Sequence, residues 1–350
     1  LMALFRLTAA ALVISLSGAV ACACTSAIIS GSASASGRQM LWKHRDTSSE
    51  SNFIERVPAS AGSHAYIALF NAGDSLLREA WIGVNDADFA IMNTASYNLA
   101  PDTAAFKDQE GIIMSLALRH CTTVNDFAAM LDTLPRPLGV QANFGVIDSR
   151  GDGAYFETDD YNYKRYDLRD EASGVIIRTN YSFSGNDGDG YGYIRYDNAS
   201  RLLSSRINAR SLVPADFTET ASRSFYNSLT GRDAMTDTAK WAVDQDFIPR
   251  HSSTASVVIE LTGDGNSTMW AALGYPPCAV VEKAHVDSVP EVLRPVLPGY
   301  KSPSAEASLE KKRKAFPITR GSGPNYIDMD YIRREAAECH KLSMDHYERE

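Results

Sequence analysis

Residues 21–26 read ACACTS, so that two alanines alternate with two cysteines before a threonine and a serine. The alanines at 21 and 23 form the A-x-A pattern of a leader-cleavage site, and a cut after Ala23 would make Cys24 the first residue of the mature chain. An N-terminal cysteine carries a thiol nucleophile and an α-amine, a base with a pKa near ~8, on one residue. The stretch therefore predicts an active site that needs no partner histidine.

The segment before this site has the pattern of an export signal. Ala3–Ala23 contains one charge, Arg6, followed by an apolar run at residues 9–16 and by the small residues of the cleavage pattern at 21–23. The run is shorter than a typical membrane span, and no later segment approaches ~20 apolar residues. We therefore expect an exported, soluble protein that is periplasmic or extracellular. The alternative is lipidation at Cys22, which the sequence disfavours because residues 19–21 lack the leucine usual at lipoprotein sites.

The composition is that of a globular protein. The chain has 350 residues, of which 44% are hydrophobic and 22% charged, enough for one large domain or two small ones. Its net charge of −9 becomes −10 when the leader leaves with Arg6. Nucleic acid and an anionic membrane surface both require a basic face, so neither is expected as a main partner. A small-molecule substrate fits better, and the sequence leaves open whether the chain forms a homo-oligomer.

The cysteines do not form an obvious disulfide framework. They lie at positions 22, 24, 121, 278 and 339. If Cys22 leaves with the leader and Cys24 stays reduced, three remain, an odd number. We interpret Cys121 and Cys278 as packed thiols, and no pair has zinc-ligand spacing. A Cys–His pair of Cys278 with His251 is a competing hypothesis, disfavoured because histidines near strand starts are usually structural.

A β-hairpin is predicted directly after Cys24. A β-favouring run at residues 25–30, a small polar turn at 31–37 and a second run at 39–46 give its two strands. The far end returns beside the beginning, so Lys43, His44, Arg45 or Asp46 can lie next to Cys24. An N-terminal ammonium needs a carboxylate to orient it, and Asp46 is the nearest acid on the returning strand. The alternative is that residues 43–46 are a solvated strand end.

The rest of the chain alternates between strand and helix patterns. Further strands are predicted at residues 65–70, 81–85, 89–93, 142–148, 153–157, 174–180, 253–261 and 267–273. Helices are predicted at residues 109–121, 124–134, 195–207, 214–228, 232–244 and about 326–347. We divide the chain into a leader at 1–23, one domain at 24–285, and a proline-containing linker with a helical extension at 286–350, whose basic run at 310–314 we interpret as solvated.

Polar residues follow two of the apolar strands at their tips. Asn93 ends one strand and leads into the polar run 94–98, which includes Tyr97, while Asn180 ends another. Catalytic loops usually lie at such strand ends. The glycine-rich segment 184–193 (SGNDGDGYGY) is interpreted as a mobile loop beside a pocket. Its acids favour calcium only weakly, because their spacing does not fit the EF-hand pattern.

In order and spacing these motifs resemble those of the N-terminal-nucleophile hydrolases. The motifs are a leader ending before Cys-Thr-Ser, a hairpin that returns to a basic-x-x-Asp motif, Asn93, Thr179-Asn180 and an arginine-led helix. Within that superfamily the chain resembles the choloylglycine hydrolase, penicillin V acylase and acid ceramidase group and its acyl-coenzyme A:6-aminopenicillanate acyltransferase-like relatives, over residues 24 to about 280. The resemblance implies an α+β fold, a four-layer αββα sandwich with two central antiparallel sheets.

The resemblance also implies roles for individual residues. Cys24 would be the nucleophile, and Asp46 would hold its α-amine. The Asn180 side chain and the Asn93 backbone N–H would bind the oxyanion. Arg195 best matches the arginine that follows the strand-end asparagine, with Arg201 as the alternative. Lys43 stands where the family usually has arginine and Arg45 sits one residue before the acid, so which of the two does the arginine's work is open.

The activity implied is hydrolysis of the linear amide of an N-acyl compound, such as a conjugated bile acid, penicillin V or an N-acyl amino acid, through a Cys24 acyl-enzyme. An amine in place of water would make the enzyme an acyltransferase. Neither a metal nor an organic cofactor is implied. Two alternatives stay open: a dipeptidase of the same superfamily, and a catalytically silent exported binding protein.

Overall fold

A computed structural model of the chain describes residues 23–318 and 325–348. The predicted leader, including Cys22, lies outside the described residues apart from Ala23. Export, leader removal and lipidation therefore stay predictions.

One six-stranded antiparallel sheet begins directly after Cys24. Its strands, in spatial order, are β10 (Val175–Arg178), β1 (Thr25–Ile29), β2 (Met40–Asp46), β14 (Ser253–Glu260), β15 (Thr268–Leu273) and β16 (Val281–His285). In the β1–β2 hairpin, Ser26 pairs with Lys43 and Thr25 with His44. The predicted hairpin is confirmed, and the C-terminal end of β2 lies beside Cys24.

The second sheet is an antiparallel meander of seven strands in chain order. They are β3 (Asn52–Val57), β4 (Tyr66–Asn71), β5 (Ile82–Asn85), β6 (Ala90–Ala95), β7 (Ala142–Ile147), β8 (Gly153–Thr158) and β9 (Tyr163–Asp167). Two helices between β6 and β7 cover its outer face, α1 (Glu110–His120) and α2 (Val124–Thr133). Thr123 caps α2 in a capping box with Asp126.

The two sheets pack face to face around an apolar core. Ile28 and Leu41 of the first sheet meet Ile67, Val84 and Met92 of the second. On the outer face of the first sheet, Trp42 and Ile29 pack with residues of α3 (Tyr193–Ala209) and of the short helical segment at 216–223. The helix α5 (Met329–Glu348) closes the same side, where Tyr347 stacks on Trp270. The layers confirm the predicted αββα sandwich.

One helix prediction is wrong and another is too long. In the predicted helix 214–228, residues 214–223 are helical and include a short π-helix (Asp216–Thr220) and a 3₁₀ turn (Ala221–Arg223), whereas residues 224–228 are not helical. The predicted helix 232–244 instead contains β12 (Arg232–Asp233), which pairs with β11 (Tyr226–Asn227), and β13 (Trp241–Val243). Asp233 explains the difference, because its carboxylate accepts hydrogen bonds from the Phe225 and Met235 backbone N–H groups and so stabilises a turn.

The C-terminal segment packs on the main body of the fold. Its β17 (Tyr326–Asp328) pairs with β13, and Ile332 of α5 joins a core that contains Tyr275. The predicted linker contains a further helix, α4 (Pro303–Ala315), which begins with proline in its first turn and Ser302 as its cap. The basic run on α4 is not wholly solvated, because Lys312 is buried and forms an ion pair with Glu50.

Among the described helices, none combines the length and the apolar character needed to cross a bilayer.

We predict that Phe127→Ala destabilises the fold strongly. Phe127 is fully buried between α2 and the second sheet, where its ring lies edge-on to Phe144 and Phe156. Truncation leaves a cavity and should lower the free energy of unfolding by about 3–5 kcal/mol. Urea denaturation measures this change. Phe106→Ala is the control, because Phe106 is 80% exposed and its truncation should cost less than about 0.5 kcal/mol. Equal losses would contradict the assigned packing.

Candidate active site

Cys24 lies where the apolar space between the two sheets opens into a cavity. Side chains alternate along a strand, and Ser26 and Ile28 face the second sheet, so Cys24 faces the same way. On β2, Leu41, Lys43 and Arg45 lie on the same face of the strand by the same alternation. Leu41 packs in the core between the sheets, and Lys43 and Arg45 line the cavity. The cavity has a volume of about 590 Å³. Its lining residues are Cys24, Lys43, Arg45, Trp81, Asn93, Ala95, Ser96, Tyr97, Asp102, Lys107, Asp108, Glu110, Gln141 and Tyr191.

Arg195 and Asn180 hold the backbone of Cys24 on both sides of its Cα. The Cys24 nitrogen donates to Asn180 Oδ1 at 2.7 Å, and Arg195 Nη1 donates to the Cys24 carbonyl oxygen at 2.6 Å. Arg195 Nη2 donates to the same Asn180 Oδ1 at 2.9 Å, which closes the arrangement. In the full chain the Cys24 nitrogen is the peptide nitrogen after Ala23, and it stands in for the α-amine of a chain cut at that bond.

Local backbone geometry places Arg195 at this position. Gly192 precedes α3 in a left-handed conformation, with φ of 92°. A Cβ at Gly192 would collide with the Arg195 guanidinium and with Thr179 Oγ1, so only glycine fits. Burial and, less strongly, the neighbouring Arg250 cation lower the pKa of Arg195 to about 10 against the opposing effect of Asp46. The guanidinium remains charged at neutral pH.

Asp46 is itself buried and lies in a second polar cluster at the end of β2. Arg250 Nη2 donates to Asp46 Oδ2 at 2.6 Å, and Ser253 Oγ donates to Asp46 Oδ1 at 2.6 Å. His44 Nε2 lies 3.6 Å from Asp46 Oδ1. The Cys24 sulfur lies 4.0 Å from the Asp46 backbone oxygen. The structure thus brings Asp46 to Cys24, and the predicted role of its carboxylate in holding the α-amine stays a prediction.

Lys43 and Arg45 both reach the cavity, each with only 2% of its surface exposed. Lys43 Nζ donates to Asn93 Oδ1 at 2.7 Å and to the Trp81 carbonyl oxygen at 2.8 Å. The Arg45 guanidinium lies 4.9 Å from the Trp81 ring centroid. The alternative in which residues 43–46 are a solvated strand end is therefore wrong, because all four side chains are buried.

Of the two predicted oxyanion donors, Asn180 contacts the Cys24 nitrogen and Asn93 lines the cavity. Asn180 Nδ2 donates to the Ala95 carbonyl oxygen at 2.8 Å, and an amide nitrogen carries two hydrogens. The second hydrogen of Nδ2 is the one that the prediction requires. Asn93 lines the cavity and pairs with Phe144 of β7. The oxyanion role of its backbone N–H stays a prediction.

The structure decides between Arg195 and Arg201 as the residue that reaches Cys24. Arg201 is exposed and donates to the Tyr226 hydroxyl at 3.5 Å and the Ser228 carbonyl oxygen at 3.4 Å. Six residues along a helix turn the side chain by about 240°, so Arg201 leaves α3 on a different face from Arg195. The alternative assignment of Arg201 to the site is wrong.

Tyr97 and the glycine-rich loop form one wall of the cavity. The Tyr97 ring lies edge-on to Tyr191, which pairs with Asn180 through a backbone bridge. The start of the loop is tied to the second sheet, because Glu157 accepts hydrogen bonds from the Phe183 and Ser184 backbone N–H groups. The loop therefore lies beside a pocket as predicted, and its mobility stays a prediction.

The Cys278–His251 hypothesis receives no support from the surroundings of these residues. Cys278 is 2% exposed in an apolar cluster with Tyr275 and Phe316, and burial raises its pKa far above the ordinary value. The His251 ring lies edge-on against Phe316. Cys121 is also buried in an apolar cluster, and burial raises its pKa to about 12. Both cysteines are the packed thiols that the sequence predicts.

The sequence did not predict the polar cluster around Asp46. Its other members are His44, Ser222, Arg250 and Ser253. Arg250 lies 204 residues from Asp46 along the chain. The sequence does show polar residues at 250–253 (RHSS), directly where the apolar strand β14 begins, and such a run can indicate a site. Without knowledge that β14 pairs with β2, that run could not be placed beside Asp46.

Comparisons with known proteins find similarity at the level of structure. No family model and no curated protein matches the chain. An N-acylethanolamine-hydrolyzing acid amidase ortholog of Caenorhabditis elegans is 12% identical, with 67% of this chain and 92% of its own covered and a TM-score of 0.41. Penicillin V acylase from Agrobacterium tumefaciens is 12% identical, with 75% and 86% covered and a TM-score of 0.43. A variant of conjugated bile acid hydrolase from Clostridium perfringens is 9% identical, with 75% and 92% covered and a TM-score of 0.47.

These three proteins are each at most 12% identical to this chain and have TM-scores below 0.5, so the similarity carries no argument about the activity of this chain. We therefore base the function of this chain on the geometry around Cys24.

Glu110 gives the cavity a titratable group near neutral pH. It is the first residue of α1, is 7% exposed, and its carboxylate accepts from the Gln141 backbone N–H at 3.4 Å. Burial raises the pKa of Glu110 to about 7. Backbone N–H groups, its own among them, oppose this shift, and the negative charges of Asp108 and Asp102 add to it.

We predict that Glu110→Gln stabilises the fold only at higher pH. The ordinary pKa of this carboxyl is 4.5, so the folded state binds its proton more tightly than the unfolded state does, and stability is lost as pH rises from there through about 7. The variant should match the parent near about pH 4 and exceed its free energy of unfolding by about 3 kcal/mol near about pH 8. Urea denaturation at both pH values measures this difference. A difference that does not depend on pH would contradict the prediction.

Proposed function

We propose that this protein is an exported cysteine amidase that hydrolyses the linear amide of an N-acyl compound through a Cys24 acyl-enzyme. One observation carries the proposal: Asn180 and Arg195 fix the nitrogen and the carbonyl group of Cys24, and its side chain lines the cavity. This is the arrangement that a residue needs when its own α-amine serves as the base.

The proposed reaction uses one residue for both proton transfer and attack. Cleavage after Ala23 turns the Cys24 nitrogen into an α-amine. This amine accepts the thiol proton as sulfur attacks the carbonyl carbon, and it then passes the proton to the leaving amine. A thioester on Cys24 remains. Water attacks the thioester, the α-amine takes a proton from that water, and release of the carboxylic acid returns the proton to sulfur.

Charges around Cys24 favour each step. The buried Arg195 guanidinium disfavours a second positive charge on the nearby α-amine, which keeps that amine in its basic form. Lys43 and Arg45 place two cations in the cavity, where negative charge develops on sulfur and on the carbonyl oxygen. The proposed oxyanion donors at Asn180 and Asn93 would each contribute about 3–4 kcal/mol to the transition state.

The cavity favours a small acyl amide as the substrate. Its volume of about 590 Å³ lies within the range of about 300–1,000 Å³ typical of small-molecule sites. Trp81, Tyr97 and Tyr191 supply aromatic walls for an acyl or aryl group, and the polar residues lie beside Cys24. Conjugated bile acids, penicillin V and N-acyl amino acids are the compounds to assay, and the similar structures are named for activity on compounds of this kind.

The first experiment assays the chain that begins at Cys24 together with its Cys24→Ala variant on these three substrates and on dipeptides. We expect turnover of at least one N-acyl compound and a loss of at least about 10³-fold in the variant, because the nucleophile is gone. Turnover confined to dipeptides would identify the dipeptidase alternative. Binding without turnover would identify the silent binding protein. Full activity of the variant would contradict the proposal.

We predict that Arg195→Lys lowers activity and that Arg201→Lys leaves it about unchanged. A lysine keeps the charge of Arg195 and cannot reproduce the fork that joins the Cys24 carbonyl to Asn180 Oδ1, so Cys24 loses its fixed position. Misplacement of this size should lower kcat by about 10²-fold. Arg201 leaves the same helix away from the cavity and is the matched control. Steady-state kinetics distinguish the two, and equal losses would contradict the assignment.

A further inference from the structure

A chain of buried hydrogen bonds leads from the outer face of the first sheet to Asp46. Its members are Trp42, Ser256, Ser222, His44, Ser253 and Asp46, each at most 1% exposed. Trp42 Nε1 lies 3.1 Å from Ser256 Oγ, which lies 2.7 Å from Ser222 Oγ. Ser222 Oγ lies 3.0 Å from His44 Nδ1, and His44 Nε2 lies 2.9 Å from Ser253 Oγ. Ser253 Oγ lies 2.6 Å from Asp46 Oδ1.

The direction of the bonds at Ser253 follows from donor counting. A carboxylate only accepts, so the single hydroxyl proton of Ser253 is donated to Asp46. The Arg250 backbone N–H donates to Ser253 Oγ at 2.9 Å, which uses one lone pair. The contact with His44 must use the other, so the imidazole donates from Nε2–H. Ser253 thereby reaches its full capacity of one donated and two accepted bonds.

The same counting fixes the remainder of the chain. A neutral ring with its proton on Nε2 has a bare Nδ1, which accepts the Ser222 hydroxyl proton. Ser222 can then only accept from Ser256, and Ser256 accepts from Trp42 Nε1–H, which is a donor under all conditions. Every bond therefore points toward Asp46.

Burial keeps the His44 ring neutral. It lowers the pKa of His44 to about 4. Asp46 opposes this shift, while the Arg250 and Arg195 cations add to it. The ring is packed between the start of β14 and the 3₁₀ turn that carries Ser222, and its position along β2 is two residues before Asp46.

We propose that His44, as the neutral Nε2–H tautomer, is a positioning residue that directs the Ser253 hydroxyl to Asp46 and so holds the end of β2 against Cys24. With the proton on Nδ1 instead, Nε2 would compete with Asp46 for the Ser253 proton, and Asp46 would lose a charge-assisted bond. The catalytic consequence rests on the proposed function, whereas the tautomer does not.

The tautomer is measured by nitrogen NMR of protein labelled with ¹⁵N-histidine at neutral pH. The inactive Cys24→Ala variant is suitable, and the His44 signals are those lost in His44→Gln. We expect Nε2 to carry the proton and Nδ1 to be bare. A proton on Nδ1, or on both nitrogens, overturns the proposal. The result stands whether or not Cys24 proves to be the nucleophile, so this failure and that of the proposed function are distinguishable.

The positioning role is measured by comparison of His44→Gln with His44→Leu. Glutamine can still donate an N–H to Ser253, whereas leucine fills similar space and donates nothing. We expect His44→Leu to lower kcat by about 10–100-fold with little change in KM, and His44→Gln to restore most of that loss. Unchanged kcat in His44→Leu, equal losses in both variants, or a loss confined to KM would overturn the role. If His44→Leu does not fold, the NMR measurement still tests the proposal.

Discussion

The position of Cys24 depends on the buried guanidinium of Arg195. Its two terminal nitrogens join the carbonyl group of Cys24 to the side chain of Asn180, and the same Asn180 oxygen accepts from the Cys24 nitrogen. Three separate parts of the chain, the start of β1, the end of β10 and the first turn of α3, therefore meet at one residue. A rigid fork is suited to this task because each of its hydrogen bonds has a fixed direction.

Strand β2 serves the site with both of its faces. Lys43 and Arg45 face the second sheet and line the cavity, while His44 faces the outer helical layer and contacts Ser222. The chemistry that we propose takes place on the first face. The polar cluster of the second face holds the strand end in place, through Arg250 and Ser253 on Asp46. Substitutions on the two faces should therefore affect the reaction differently. A substitution of Lys43 or Arg45 changes the charge in the cavity, whereas a substitution in the polar cluster changes the position of the end of β2 beside Cys24.

Local patterns predicted much of the fold and the centre of the site. The Cys24 hairpin needs a turn and two short apolar runs, all within residues 24–46, and Asn180 is visible as a polar residue after the apolar run of β10. Asn93 was predicted at a strand end but lies within β6 (Ala90–Ala95), because the strand continues through polar residues. The helix predicted at 232–244 does not form, because the Asp233 carboxylate stabilises a turn there through backbone N–H groups, a contact that hydrophobic periodicity does not report. The edge strands β3 and β9 were missed, and so was the pairing of β2 with β14. The contacts of His44 with Ser222 and Ser253 join residues 178 and 209 positions apart, and only the folded chain reveals them.

The central claim is that one residue supplies both sulfur and base. Mass spectrometry of the active protein, stopped with acid during turnover of an N-acyl substrate and digested to peptides, tests it most directly. The account predicts an N-terminal peptide that begins at Cys24 and carries the mass of the acyl group. Fully active protein whose chain begins before Cys24, or an acyl group on any other residue, would contradict it.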